Sequence, residues 1–266
     1  TFCQTSDTIP NRKLSIGLTV SPDYTYRTLK TDASSQWIAD IRNDMEIPKA
    51  PVGVFELPIG LLEDDQLQTH VRVREITGRE EDMLMAKNIV EHRKFGELLK
   101  SCVVELGSYS RSVDIEVRLP QLLKTDREFL LWSVRRVSLG DEYPYKQQCP
   151  KCEKTGIYTL DLAEIKIRPM PEESRKRRVF DYVLPTGRKV VWRPLTGAME
   201  ERLNARMAKK QGDILSLAMS ARVETLDGGA STIDDMKSLG LKDRSAFREE
   251  VERVEGGLDD VLEMTC

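Results

Sequence analysis

The sequence predicts an α+β protein of two tandem homologous modules, each a β-hairpin followed by about three helices, behind an extended N-terminal arm. Three observations carry this expectation. An ordered set of landmarks occurs twice, and strand-like and helix-like spacings follow each set in the same order. A Cys-x-x-Cys pair is also matched one module later by a single cysteine. The expected boundaries are 1–50 for the arm, 51–168 for the first module, 169–178 for a basic linker and 179–266 for the second module.

The repeat comes first, because missing it would misread the whole fold. Val73-Arg74-Glu75-Ile76-Thr77-Gly78-Arg79-Glu80-Glu81-Asp82-Met83-Leu84 matches Trp192-Arg193-Pro194-Leu195-Thr196-Gly197-Ala198-Met199-Glu200-Glu201-Arg202-Leu203 at an offset of 119. Upstream of each copy stands a Leu-Pro-x-Gly signature, Leu57-Pro58-Ile59-Gly60 and Leu184-Pro185-Thr186-Gly187. Downstream of each stands Asp-Arg, at Asp126-Arg127 and Asp243-Arg244. Cys149 follows Asp126 by 23 residues, and Cys266 follows Asp243 by 23. Cys266 therefore occupies the position of Cys149, and a further cysteine is expected three residues beyond it, in a longer reading frame.

Each copy reads the same way locally. Val52 to Leu57 and Val71 to Ile76 predict two strands flanking a Pro-Gly turn and a longer polar loop through Glu63-Asp64-Asp65. Val179 to Leu184 and Arg188 to Trp192 predict a tighter hairpin. Thr77 caps the first helix with Glu80 closing a capping box, whereas Thr196 has Met199 in that place and a weaker cap. A second helix holds Leu98, Leu99, Cys102 and Val103, matched by Ile214, Leu215, Leu217, Ala218 and Ala221. The third carries Phe129, Leu130, Trp132, Val134 and Val137 up to Gly140; its counterpart carries Phe247, Val251 and Val254 up to Gly256-Gly257. Asp126 and Asp243, each just before an amphipathic run, read as N-caps rather than as catalytic carboxylates.

The flanking segments differ. Residues 1–50 are polar, broken by Pro10, Pro22 and Pro48, with one amphipathic piece around Trp37, Ile38 and Ile41; they read as an arm that orders on a partner. Pro169 to Arg178 interrupts secondary structure and carries Arg175-Lys176-Arg177-Arg178, a solvated linker or a nucleic-acid patch.

Composition narrows the function. The chain is 39% hydrophobic and 32% charged with a formal net charge of -3, so no bulk electrostatic argument favours nucleic acid or a membrane surface. No apolar run approaches the roughly 18 residues of a spanning helix. Five cysteines are too few for a secreted disulfide scaffold and point to a reducing compartment. His70 and His92 are the only neutral-pH bases; neither stands in a catalytic motif, and no phosphate loop or nucleophile elbow occurs. The chain reads as no enzyme.

Cys149-Pro150-Lys151-Cys152 precedes a strand-like Thr155 to Leu162, the arrangement of a zinc ribbon; a redox Cys-x-x-Cys usually opens a helix. Cys102, at helical spacing among leucines, reads as a small buried hydrophobe.

The order Leu-Pro-x-Gly, Thr-Gly-x-x-Glu, Asp-Arg with Leu130-Leu131-Trp132-Ser133-Val134-Arg135, then Tyr143-Pro144-Tyr145 and Cys149-Pro150-Lys151-Cys152, resembles the T-even phage baseplate hub protein family over about residues 53–266. The resemblance implies a structural component of the contractile tail baseplate, in its hub or wedge region, with Cys149, Cys152 and Cys266 as ligands of a structural Zn2+. It implies other baseplate and tail proteins as partners, no membrane, and location in the virion tail after assembly in the host cytoplasm. The family's smaller members carry one module, so a doubled version also admits a tail assembly chaperone that leaves before completion. From the residues alone, a zinc-ribbon nucleic-acid binder and a thiol-redox enzyme on Cys149 and Cys152 stay open. The doubled reading further expects the modules to meet across a pseudo-twofold axis at one four-sulfur site.

Overall fold

Two antiparallel sheets, each with helices of its own half, organise the molecule, a computed structural model in which residues 52–148, 153–209 and 213–258 are described. The described residues between Val52 and Leu258 form one compact unit. The N-terminal arm, Cys149, Cys152 and Cys266 lie outside the described residues.

The first half opens with β1 (Val52–Glu63) and β2 (Gln66–Arg74), joined by Asp64 and Asp65, both at positive φ of 48° and 58°. That is the backbone of a two-residue hairpin turn, which aspartate tolerates. The longer loop expected there is therefore a tight turn, and Leu57-Pro58-Ile59-Gly60 is not a turn but an irregularity inside β1, where the register shifts between Glu56 and Leu61. Gly60 sits at φ +98°, where a Cβ would meet Gln68 O at 3.0 Å. Bulged strands leave ladder donors free, and the N–H groups of Ile59 and Gly60 turn away to the Asp126 carboxylate.

Helix α1 (Gly78–Met85) begins as expected: Glu80 accepts from Thr77 N at 2.9 Å and Thr77 Oγ1 at 2.6 Å, and pairs with Arg74 at 2.7 Å. Those partners, Arg74 first, hold the Glu80 carboxyl down at about 2 against the opposing cost of burial. Helix α2 (Glu91–Cys102) runs without a break into β3 (Val103–Leu106), which pairs with β2. α3 (Ser112–Arg118) and α4 (Lys124–Leu139) complete the half, and Gly140 at φ +82° ends α4.

A ribbon follows, β4 (Glu142–Gln148) against β5 (Thr155–Asp161), then β6 (Ile167–Arg168). The second half has β7 (Phe180–Val183), β8 (Lys189–Trp192), α5 (Gly197–Met207), α6 (Ile214–Ser220), β9 (Val223–Leu226), β10 (Gly229–Ala230), α7 (Ile233–Ser238), α8 (Leu241–Glu255) and β11 (Gly257–Leu258). Here Leu184-Pro185-Thr186-Gly187 is the tight turn that the sequence predicts, closed by Leu184 N to Arg188 O at 2.9 Å.

Among the described residues each half holds four α-helices, with a three-stranded sheet in the first and a four-stranded sheet in the second, so the expectation of a hairpin with about three helices undercounts both. The details run in parallel. Val71 faces Leu106 as Val190 faces Leu226, and each pairing shifts register one strand-step later. Gly107 N donates to His70 O at 2.7 Å as Asp227 N donates to Lys189 O at 2.8 Å.

Asp126 and Asp243 are not N-caps. The capping positions are Leu123 and Gly240, with matching extended backbones (φ -68°, ψ 154° and φ -63°, ψ 155°), and neither makes a side-chain cap bond. Each aspartate lies in the first helical turn, where the helix dipole favours a carboxylate, and reaches across to the Leu-Pro-x-Gly segment of its own half. Asp126 accepts from Ile59 N at 2.8 Å and Gly60 N at 3.0 Å; Asp243 accepts from Thr186 N at 3.1 Å and Thr186 Oγ1 at 2.6 Å.

Candidate functional site

The ribbon of β4 and β5 flanks the cysteine pair that the sequence reading expects to bind a metal. Seven cross-strand pairs run from Glu142–Asp161 to Gln148–Thr155, so Cys149 and Cys152 fall in the connection beyond the last pair. Both strands alternate exposed and half-buried residues. The half-buried face is aromatic: Tyr143 stacks on Tyr145 at 6.4 Å and Tyr145 on Tyr158 at 5.7 Å between ring centroids. Trp132 of α4 meets Tyr143 edge-on at 5.8 Å, and the Arg135 guanidinium lies 4.7 Å from the Tyr143 ring centre. These contacts moor the base of the ribbon to the body, and the opposite face, with Ile157 72% exposed, points to solvent. An isolated two-stranded ribbon is marginal in water, so a cross-link at its far end would suit it. Such a ribbon fits the zinc-ribbon reading of Cys149 and Cys152; Cys266, like them, lies outside the described residues.

Among the described residues no group of three or more His, Cys, Asp or Glu side chains is placed to hold a metal. Cys102 is buried at the end of α2, and burial pushes its thiol up to about 11, which leaves it un-ionised and inert. His70 lies half-buried between Glu56 and Glu105 at 3.7 and 3.8 Å, and His92 sits half-buried on α2. Neither meets a nucleophile.

The more elaborate arrangement lies at the seam between the halves. Ile59 and Leu123 of the first half, 0% and 3% exposed, sit in one core with Met170, Phe180, Leu184, Trp192 and Phe247. Lys124 N donates to Leu195 O at 2.8 Å, and Gly197 N to Leu122 O at 2.9 Å. Arg127 lies against Gly197, where a Cβ would overlap its Nη1 and stand 2.5 Å from its Cδ. The same guanidinium faces Glu201 at 3.3 Å and Glu200 at 3.6 Å. Burial raises the Glu200 carboxyl above its ordinary value, with Arg127 opposing.

Residues 169–178, expected to be a solvated linker, form a strap over this seam. Met170 and Ser174 are buried, Pro171, Arg175 and Arg178 are half-buried, and Pro169, Glu172, Glu173, Lys176 and Arg177 stand in solvent. Arg175 Nη2 donates to Pro58 O and Ile59 O at 3.2 Å each; Arg178 Nη2 donates to Gly60 O at 3.4 Å. Both guanidiniums thus sit beside wholly buried Asp126, whose carboxyl burial pushes up to about 6 against two backbone bonds and the two arginines. Burial in turn lowers Arg178.

The seam is one-way, which corrects the expected pseudo-twofold relation. Isologous contacts are reciprocal; here Thr186, the counterpart of Ile59, is exposed, as is Gly240, the counterpart of Leu123. Arg244, the counterpart of Arg127, stays in its own half on Ser216 Oγ and Met236 O. Sequence reasoning missed Arg175, Arg178 and Arg127 as joining residues. The one available signal was the Arg of the repeated Asp-Arg pair beside two acidic residues after the second Thr-Gly.

Comparison with protein families finds a match to T4 bacteriophage base plate protein over residues 61–229, more than half of the chain. This protein belongs to that family, and the match runs from the first half through the ribbon into the second. Comparisons with curated proteins and with solved structures gave no match. No helix among the described residues is long and apolar enough to cross a membrane.

Proposed function

We propose that this protein is a non-enzymatic scaffold of the contractile tail baseplate, in its hub or wedge region, made in the host cytoplasm and retained in the virion. Membership of the baseplate family supports the setting. The observation that carries the structural role is the placement of buried charge: among the described residues the most deeply buried charged groups, Asp126, Glu80, Asp243 and Arg127, all bind turns, caps or the opposite half. Groups so engaged hold shape.

The two halves are tandem copies of one module, a reading supported by the repeated landmarks and by equivalent pairings at Val71–Leu106 and Val190–Leu226. Zn2+ is held by Cys149, Cys152 and Cys266 with one further ligand, and substitutes for part of the core that the ribbon lacks. The arm and the outer faces bind other baseplate proteins. Elemental analysis of the full-length protein is expected to give one zinc per chain. A metal-free preparation whose Tyr and Trp near-UV circular dichroism is unchanged would refute the clasp. Mass spectrometry of purified virions tests retention: presence supports the scaffold, and absence makes the protein an assembly chaperone.

A further inference from the structure

The seam uses a defined set of contacts, and each half carries the counterparts of the set it does not contribute to the seam. On the donor side, the first half offers Ile59, Leu123 and Arg127 to the second. The second half has Thr186, Gly240 and Arg244 at those places, the first two exposed. On the receiving side, the second half offers Leu195, Thr196 and Gly197 with Glu200 and Glu201. The first half has Ile76, Thr77 and Gly78 with Glu81 and Asp82, and all but half-buried Ile76 are exposed. A Cβ on Gly78 would meet nothing within 4 Å, whereas one on Gly197 would overlap Arg127.

A one-way joint whose two faces each recur in the other half can in principle be repeated between molecules, giving an open chain of copies. Repeat proteins avoid this with end units whose outer face is polar. Two of the three donor positions in the second half have changed in that direction, and both have lost an apolar side chain. The backbone does not require the change at 240: Leu123 and Gly240 share one conformation, and a side chain on Gly240 would have open space. Thr186 keeps the backbone bond to Asp243 that Ile59 keeps to Asp126, so the turn does not require threonine either.

We propose that Thr186 and Gly240 are terminators: they remove from the second half the two apolar plugs by which the first half docks, and so prevent head-to-tail joining of copies of this chain. The proposal rests on the tandem-module reading.

The test restores the plugs. In sedimentation velocity at rising concentration, the variant Thr186→Ile with Gly240→Leu is expected to grow beyond the wild-type mass, and Gly78→Trp added to it is expected to return that mass by blocking the receiving face. A double variant with wild-type circular dichroism that stays at the wild-type mass overturns the proposal. So does association that survives Gly78→Trp, which would be mere stickiness. The reverse exchange, Ile59→Thr with Leu123→Gly, checks the underlying reading separately. It is expected to expose residues 169–178 to limited proteolysis; if protection is unchanged, the equivalence of the two faces is wrong, not only the termination.

Discussion

The two halves carry the same landmarks and use them differently. In the first, Gly60 lies inside a long strand, Ile59 is sunk in the neighbour's core, and Asp126 is sealed under two arginines. In the second, Gly187 closes a short exposed turn, Thr186 faces water, and Asp243 binds the threonine hydroxyl. The Thr-Gly pair inverts the contrast: Gly78 is free and Gly197 is covered by Arg127. The lesson is that a repeated motif fixes a local bond, here aspartate to turn, while its surroundings decide whether that bond carries an interface.

The comparison breaks most decisively at the aspartates. Asp126→Ala strands two buried N–H donors and unbalances Arg175 and Arg178, and is expected to cost about 3–5 kcal/mol; Asp243→Ala should cost about 1–2 kcal/mol because water can reach its turn. Urea unfolding followed by tryptophan fluorescence checks both, and equal losses would void the distinction. Next come the glycines. Gly197→Ala displaces Arg127 from its acidic partners and is expected to cost about 1–3 kcal/mol. Gly78→Ala should be neutral or stabilising by about 0.5–1 kcal/mol, read in the same assay.

Acid titration separates the carboxylates by sign. Asp126 binds its proton more tightly folded than unfolded, so its contribution is fully present below its ordinary value near 3.8 and is lost as pH rises through about 6. Glu80 is the reverse: its contribution stands above its ordinary value near 4.5 and fades as pH falls towards about 2. Relative to Asp126→Asn, the wild type should therefore gain stability between pH 6 and 4; a difference flat with pH would show that Asp126 titrates normally. The smallest effect is expected at Thr196. Its hydroxyl accepts from Met199 N at 3.4 Å without a returning carboxylate, so Thr196→Ala should cost about 0.5 kcal/mol in thermal melts.

Much of this architecture was legible because its signals are local. Thr77 with Glu80, Gly140 and Gly256 as helix stops, and the alternation from Thr155 onward each act within a few residues. The four-residue strands β3 and β9 were not, because Val103 follows Cys102 with no turn residue between and continues an apolar helical run. Asp126 looked like a cap for the same reason: its helix is adjacent in sequence, and Ile59 is 67 residues away. Of the candidate site, the strand from Thr155 was foreseen; its partner β4, which carries Pro144, was not. The strap was not, because four consecutive basic residues say nothing about which of them find carbonyls.

The strap's grip on Pro58, Ile59 and Gly60 is made to main-chain oxygens alone. Such a hold does not inspect the residues it closes on. Side chains along this stretch can therefore drift during evolution, within what the neighbouring core accepts, without any matching change at Arg175 or Arg178. What must persist is the path of the chain, and with it a glycine at position 60. Mutational scanning would then show two intolerant arginines facing a permissive Pro58, an asymmetry that side-chain pairing would not produce.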